Sequence, residues 1–207
     1  VDALTSMNIR TKIDEIEQYS RNINWSRSRL RNTESAVDEL VGAFQRLTSL
    51  TVQGASDSYT AEDKLSIAAE VNELLEHVVS IANYRSEIDY AFGGTNSDVP
   101  PYTVVRDANG EIIEVTTAGT GNDISIEIGD GLSIKSTLQG KTVFDQGENL
   151  FNVIIMVRDH LRANETDNLR EDLNSINNSA EQIYNAQAQI GARLNRISAA
   201  ESRAEND

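Results

Sequence analysis

Apolar residues recur every seven positions through the first quarter of the chain: Ile9, Ile16, Ile23, Leu30, Val37 and Phe44. A seven-residue period keeps one stripe of a helix facing a neighbour and winds the pair left-handedly. Ile13 and Val41, each four residues after a stripe member, extend the seam, while Ser20, Arg27, Glu34 and Thr48 interrupt it. The spacing predicts one helix from about Met7 to Gln53, roughly 65–70 Å long at 1.5 Å per residue, far beyond an ordinary globular helix. Gly54 to Ser58 reads as a turn. Thr60, with Asp63 three residues on, reads as an N-cap. A second helix is predicted from there to about Phe92, with Ile67, Val71, Leu74, Val78, Ile81, Ile88 and Phe92 as its stripe.

The period then changes. Residues 93–143 hold most of the glycines and both prolines. Tyr102–Arg106 and Glu111–Thr117 are β-rich runs joined by Asp107-Ala108-Asn109-Gly110, and Asn-Gly favours the positive backbone dihedrals of a tight hairpin. Ile124, Ile126 and Ile128 alternate with Ser125 and Glu127, the pattern of a half-buried strand. Gly129-Asp130-Gly131 turns the chain into a further strand, Leu132 to Leu138. Helical spacing returns at Val143 or Phe144 and runs to about Ala163, and Asn164 begins the last connection. The final helix carries Leu169, Ile176, Ile183, Ile190 and Ile197, again at intervals of seven. Leu173, Ala180 and Leu194 are its companion positions, and Gln187 and Glu201 break its seam.

The fold class expected is α+β. Residues 1–92 and 144–207 form an elongated bundle of long antiparallel helices with heptad seams, and a small β-rich domain, 93–143, is inserted midway. An insertion at the midpoint puts both termini at one end of the rod. Helices this long outrun their own compact core, so the surplus stripe calls for a helix from another copy or another protein.

Composition narrows the function. The chain has 207 residues, a formal charge of −15, two prolines and no cysteine. A polyanion repels both nucleic-acid phosphates and an anionic membrane surface, so neither is an expected partner. Acidity also keeps an extended protein soluble. The absence of cysteine removes disulfide and thiolate chemistry. No apolar run approaches the roughly 20 residues that cross a bilayer, and no cleavable signal pattern is visible. A chain that opens on Val1 and stops within a helical pattern reads as a processed or trimmed piece.

Catalytic and metal signatures are missing. His77 and His160 lie in helical segments without a second histidine or a cysteine at metal spacing, whereas zinc needs several convergent ligands. Counting an EF-hand from Asp107 puts Ile112 where glycine is required and Ala118 where glutamate is required. Gly119-Thr120-Gly121 and Gly129-Asp130-Gly131 lack the strand–loop–helix context and the lysine of a phosphate loop. Three Asn-X-Ser/Thr triplets, at Asn24, Asn164 and Asn177, match a glycosylation acceptor that arises often by chance. No enzyme and no cofactor are expected.

Three stretches carry a resemblance. Gln45-Arg46-Leu47-Thr48-Ser49-Leu50-Thr51-Val52-Gln53 is similar to the segment that ends the first core helix of bacterial flagellins. Gly191-Ala192-Arg193-Leu194-Asn195-Arg196-Ile197 resembles the start of their C-terminal core motif. Tyr90 to Tyr102, with Gly93-Gly94-Thr95-Asn96-Ser97-Asp98-Val99-Pro100-Pro101 at its centre, resembles the helix-to-insert passage of the L-type hook-associated proteins of the hook–filament junction, as does Ile126-Glu127-Ile128-Gly129-Asp130-Gly131. The resemblance spans nearly the whole chain. It implies a structural protein that joins hook to filament, exported through the flagellar channel to the extracellular flagellum. Its partners would be the adjoining hook-associated protein, flagellin, further copies of itself in an assembled layer, and an export chaperone. In flagellins the first of these segments contributes contacts between subunits, which maps here to Arg46, Leu50 and Gln53. Ser49 stands where flagellins commonly carry an acidic residue, which separates this chain from flagellin's receptor-recognition pattern. Flagellin itself is the alternative within the same family.

Overall fold

The computed structural model describes residues 2–204 other than 87, 88 and 97, with side chains described for 5–203 of these. The elements run α1 (Asp2–Gly54), α2 (Ala61–Ala82), β1 (Tyr102–Arg106), β2 (Ile112–Thr117), β3 (Ser125–Gly129), β4 (Leu132–Lys135), α3 (Gly140–Phe144), α4 (Leu150–Arg162) and α5 (Thr166–Ala204). α1 packs most extensively on α5, and α2 on α4. α1 runs antiparallel to α5 and to α2, and α2 runs antiparallel to α4. Arg27 of α1 pairs with Glu201 near the end of α5, and Gln187 Nε2 donates to Asp38 at 2.6 Å further along. Arg46 of α1 meets Glu70 of α2, and Arg158 of α4 donates to Asn72 of α2 at 3.1 Å. The described chain therefore begins and ends toward the same end of the bundle, with the first turns of α1 reaching past the end of α5.

The heptad stripes are the core. Ile23, Leu30, Val37 and Phe44 of α1 are buried, and so are Leu169, Ile176, Ile183, Ile190 and Ile197 of α5. The companion row, however, stands three residues after each stripe member rather than four. Ser26, Thr33, Leu40 and Leu47 are buried in α1, and Asp172, Ser179, Ala186 and Ala200 in α5, whereas Val41, Leu173 and Leu194 are only partly buried. The row escapes a hydrophobicity reading because half of it is polar. Two of its hydroxyls are satisfied within their own helix: Thr33 and Ser179 donate to the carbonyls of Arg29 and Ser175 at 3.0 and 2.8 Å, whereas the Ser26 hydroxyl is buried with no hydrogen-bond partner among the described residues. A hydroxyl so paired enters a seam without leaving an unmet donor.

α2 opens with a complete capping box between Thr60 and Asp63, but it ends at Ala82, ten residues short of the expected Phe92. The Asn83 amide stops it by acting as a strand partner, donating to the Tyr102 carbonyl at 2.9 Å and accepting from the Tyr102 N–H at 3.0 Å. The chain then doubles back in a small hairpin, with an Arg85–Tyr90 bridge and the Ala91 N–H on the Tyr84 carbonyl at 3.0 Å. Ile88, expected in the helical stripe, lies outside the described residues. Phe92 is buried as expected, though not from a helix. It packs edge-on to Phe144 at 5.2 Å, within an aromatic cluster that includes Tyr102 and Phe151.

The insert forms two separate two-stranded antiparallel sheets, β1–β2 and β3–β4. Both turns are those the sequence marks, with Gly110 and Gly131 at positive φ. Asp107 closes the first by accepting from the N–H groups of Asn109 and Glu111, each at 2.9 Å. β4 stops at Lys135 instead of Leu138, because the Ser136 N–H and the Thr137 hydroxyl bond to Ile124 instead of extending the ladder. The first hairpin lies over α2 and α4, tied by Arg106 to Glu76 and by Arg162 to Glu111 at 2.6 and 2.7 Å. The second lies over α1 and α5, where Asn22 Nδ2 donates to the Glu127 carbonyl at 2.7 Å. Tyr102, Ile112, Val115, Ile128 and Ile134 of the insert join the same buried cluster as the helices.

The helix expected from Val143 to Ala163 is broken at Asp145–Asn149. Asn149 caps α4 by accepting from the Asn152 N–H at 2.9 Å. Asp145 accepts from the Tyr102 hydroxyl at 2.9 Å and from Asn149 at 2.7 Å. The α4–α5 corner turns at Asn164, whose φ is +56°. The Lys64 ammonium, buried there, donates to Asn164 and Thr166 at 2.8 and 2.6 Å.

Candidate assembly interface

The stripe of α1 runs on after its cover ends. Met7, Ile9 and Ile13 are 65%, 55% and 50% exposed, while Ile23 onward is buried. Between them lies a groove of about 350 Å³, lined by Ile16 and Tyr19 of α1, Ile128 and Leu132 of the second hairpin, and Ala200 of α5. Lys12, Glu15, Asp130 and Arg203 line it as well, so apolar side chains stand among charges of both signs. This is the make-up of a protein-binding surface. Ile9 and Ile13, four residues apart, share one face of a charged helix and carry the stripe on as an uncovered apolar pair, while Met7, two residues before Ile9, stands on another face.

The residues singled out by resemblance sit elsewhere on the rod. Arg46 lies about 50 Å from Ile13 along α1 at 1.5 Å per residue. Its guanidinium is half exposed and pairs with Glu70, Nε to Oε1 at 2.6 Å. Gln53 is half-buried and donates to Ser49 Oγ at 3.3 Å. Leu50 is 1% exposed and belongs to the chain's own core. The structure thus gives Arg46 and Gln53 to the surface and uses Leu50 to hold the helix beneath them. The three are not gathered with the terminal stripe into one site.

Titratable groups respond to local pairing. The Arg106 hydrogen bond holds Glu76 below the ordinary carboxylate range, and the Arg162 hydrogen bond does the same for Glu111. Hydrogen bonds from Thr60 lower Asp63, and backbone N–H groups led by that of Glu111 lower Asp107. Asp145 moves the other way: burial pushes its carboxyl up, against the Tyr102 and Asn149 hydrogen bonds. His160 Nδ1 lies 2.7 Å from Asp172 Oδ2 at the α4–α5 corner. Among the described residues no group of three or more His, Cys, Asp or Glu side chains is placed to hold a metal ion, and no helix is long and apolar enough to cross a membrane.

Comparison with known proteins places these helices. Residues 3–87 match the family model described as the bacterial flagellin N-terminal helical region. A flagellin of Clostridium tyrobutyricum is 35% identical over 78 residues, which is 38% of this chain and 21% of that protein, so the chain spans about a fifth of that relative's length. Among solved structures, flagellar hook-associated protein-3 from Legionella pneumophila superposes with a TM-score of 0.86 at 16% identity, covering 97% of this chain and 94% of that one. The Bacillus cereus FlgL structure does so with a TM-score of 0.77 at 22% identity, covering 99% and 96%. The second pair extends the likeness in fold to the β-insert and α5, beyond the residues of the family match.

Proposed function

We propose that this chain, whose residues 3–87 match the bacterial flagellin N-terminal helical region, belongs to the flagellin superfamily and is a structural protein of the hook–filament junction that joins hook to filament as a short assembled layer. The observation that carries the reading is the uncovered part of the α1 stripe. A helix that keeps its seven-residue apolar period past the end of its own partner is built for a partner from outside, by helix packing of the coiled-coil kind. The shared end, with Met7, Ile9 and Ile13 on it, is the surface through which the layer packs on its neighbours. Those neighbours are further copies, the adjoining hook-associated protein and flagellin. Arg46 and Gln53 supply a second contact along the rod, positioned by Leu50 beneath them. The protein works outside the cell, reaching the flagellum through its export channel with a chaperone before assembly. Its job is mechanical, with neither catalysis nor a cofactor.

Flagellin is the second reading, favoured by the 35% identical N-terminal segment of a relative that is itself a flagellin. Deleting the gene in its native organism separates the two. A junction protein leaves hooks without filaments in electron micrographs and flagellin leaking into the medium. Filament loss with no leaked flagellin makes the chain the filament subunit. Normal filaments and motility overturn both.

A further inference from the structure

One face of α1 meets Tyr84, Ser86 and Asp89 around a pocket of about 440 Å³, within the size range of small-molecule sites. Trp25, Ser28, Arg29 and Asn32 line it from α1, spaced to share one helix face. Tyr84, Ser86 and Asp89 line it from the hairpin. Trp25 and Tyr84 are 39% and 41% exposed. The Arg29 guanidinium lies 4.7 Å from the centre of the Trp25 ring and pairs with Asp89. Its Nη2 is buried and has no hydrogen-bond partner among the described residues. The Ser28 hydroxyl, the Asn32 amide and the Tyr84 hydroxyl bond to no other described side chain or backbone group. A second groove, of about 120 Å³, continues past Asn32 and Tyr84 to Ser35, His77 and Ser80.

We propose that this groove binds a neutral saccharide, a function separate from packing at the shared end of the rod. The lining cation and anion, Arg29 and Asp89, are already paired with each other. An anionic ligand would meet Asp89 and the field of a chain of charge −15, and a cationic one would meet the guanidinium. What is left is a set of uncharged donors and acceptors between two aromatic side chains. A pyranose has this complement, with apolar C–H faces for an aromatic ring and hydroxyls that both donate and accept. The continuation toward His77 leaves room for a second sugar unit.

Trp25 is the chain's one tryptophan, so its fluorescence reads this pocket alone. The full chain is titrated with glucose, galactose, N-acetylglucosamine and their β-linked disaccharides. At least one produces a saturable change in Trp25 emission below roughly 100 mM, the range of weak single-site binding. Asn32→Ala and Ser28→Ala each weaken it by about fivefold, the loss of one hydrogen bond, with the urea midpoint unchanged. A non-saturating response to every sugar overturns the proposal, as does equal affinity in both variants. So does a preference for uronic acids over neutral sugars. A shift that follows protein concentration and ignores sugar makes the pocket a contact between copies and overturns it too.

Discussion

Asp145 is a residue whose environment works against its charge. Burial raises its carboxyl above the usual range, even with Tyr102 and Asn149 donating to it. In the unfolded chain an Asp titrates near pH 3.9. Because the folded value is the higher one, the folded state holds the proton more tightly. The stabilising contribution is therefore complete below about pH 3.9 and is lost as pH rises through the raised folded value. Asp145→Asn removes this dependence. Its unfolding free energy relative to the parent should rise as pH increases from about 4 and level off above the raised folded value in urea titrations, whatever constant offset the altered hydrogen bonds add. Glu76 and Glu111 have the opposite sign. Their depressed values give stability that is present above the ordinary carboxylate pKa and lost on acidification through the folded values, so the ties of the first hairpin weaken in acid.

Within an element, the question is which row of a heptad is load-carrying. In α5 the row of Ile176, Ile183 and Ile190 is fully buried, while Leu194, four residues after Ile190, is only partly so. Truncation separates them. Ile183→Ala empties a closed site and costs about 3 kcal/mol, in the usual range for a buried isoleucine. Leu194→Ala, at a site already open to water, costs about 1 kcal/mol. Equal losses in equilibrium denaturation would place Leu194 in the seam. The seven-residue stripes were legible because their members are Ile, Leu, Val and Phe. The companion row was not, since Ser26, Thr33, Asp172 and Ser179 look like a solvated face until the partner helix is in place. The end of α2 was hidden for a related reason. Its stop is the Asn83 amide bonded to Tyr102, nineteen residues on, and no local propensity encodes that pair.

At the scale of the whole molecule, one stripe has a part covered within the chain and a part left open, which the proposed function gives to assembly. Ile23 to Phe44 are spent inside the chain, and Ile9 and Ile13 are not. Placing aspartate at both Ile9 and Ile13 should change the unfolding free energy by no more than about 0.5 kcal/mol, as for other exposed positions. The same pair of substitutions should abolish incorporation into flagella, measured by motility and by immunolabelling of the hook tip. A loss of stability instead would mean that these residues are covered within the chain itself. The insert belongs to this scale too. Its hairpins rest on opposite helix pairs and bury their apolar sides in the bundle's own core, which couples the insert to the rod.

The sequence by itself determined the long helices, their antiparallel order, the two glycine turns, the capping box at Thr60 and the shared end of the rod. All of these follow from short-range periodicity or from residues with restricted backbone preferences, information carried within a few positions of each residue. Only the tertiary structure decided where the stripe stops being covered, which companion row faces inward, and that Leu50 is core while Arg46 and Gln53 are surface. It alone brought Trp25 and Arg29 beside Tyr84 and Asp89. Burial depends on what packs from a distance, and residues sixty positions apart meet only once the helix ends and the returning hairpin have fixed the chain's path.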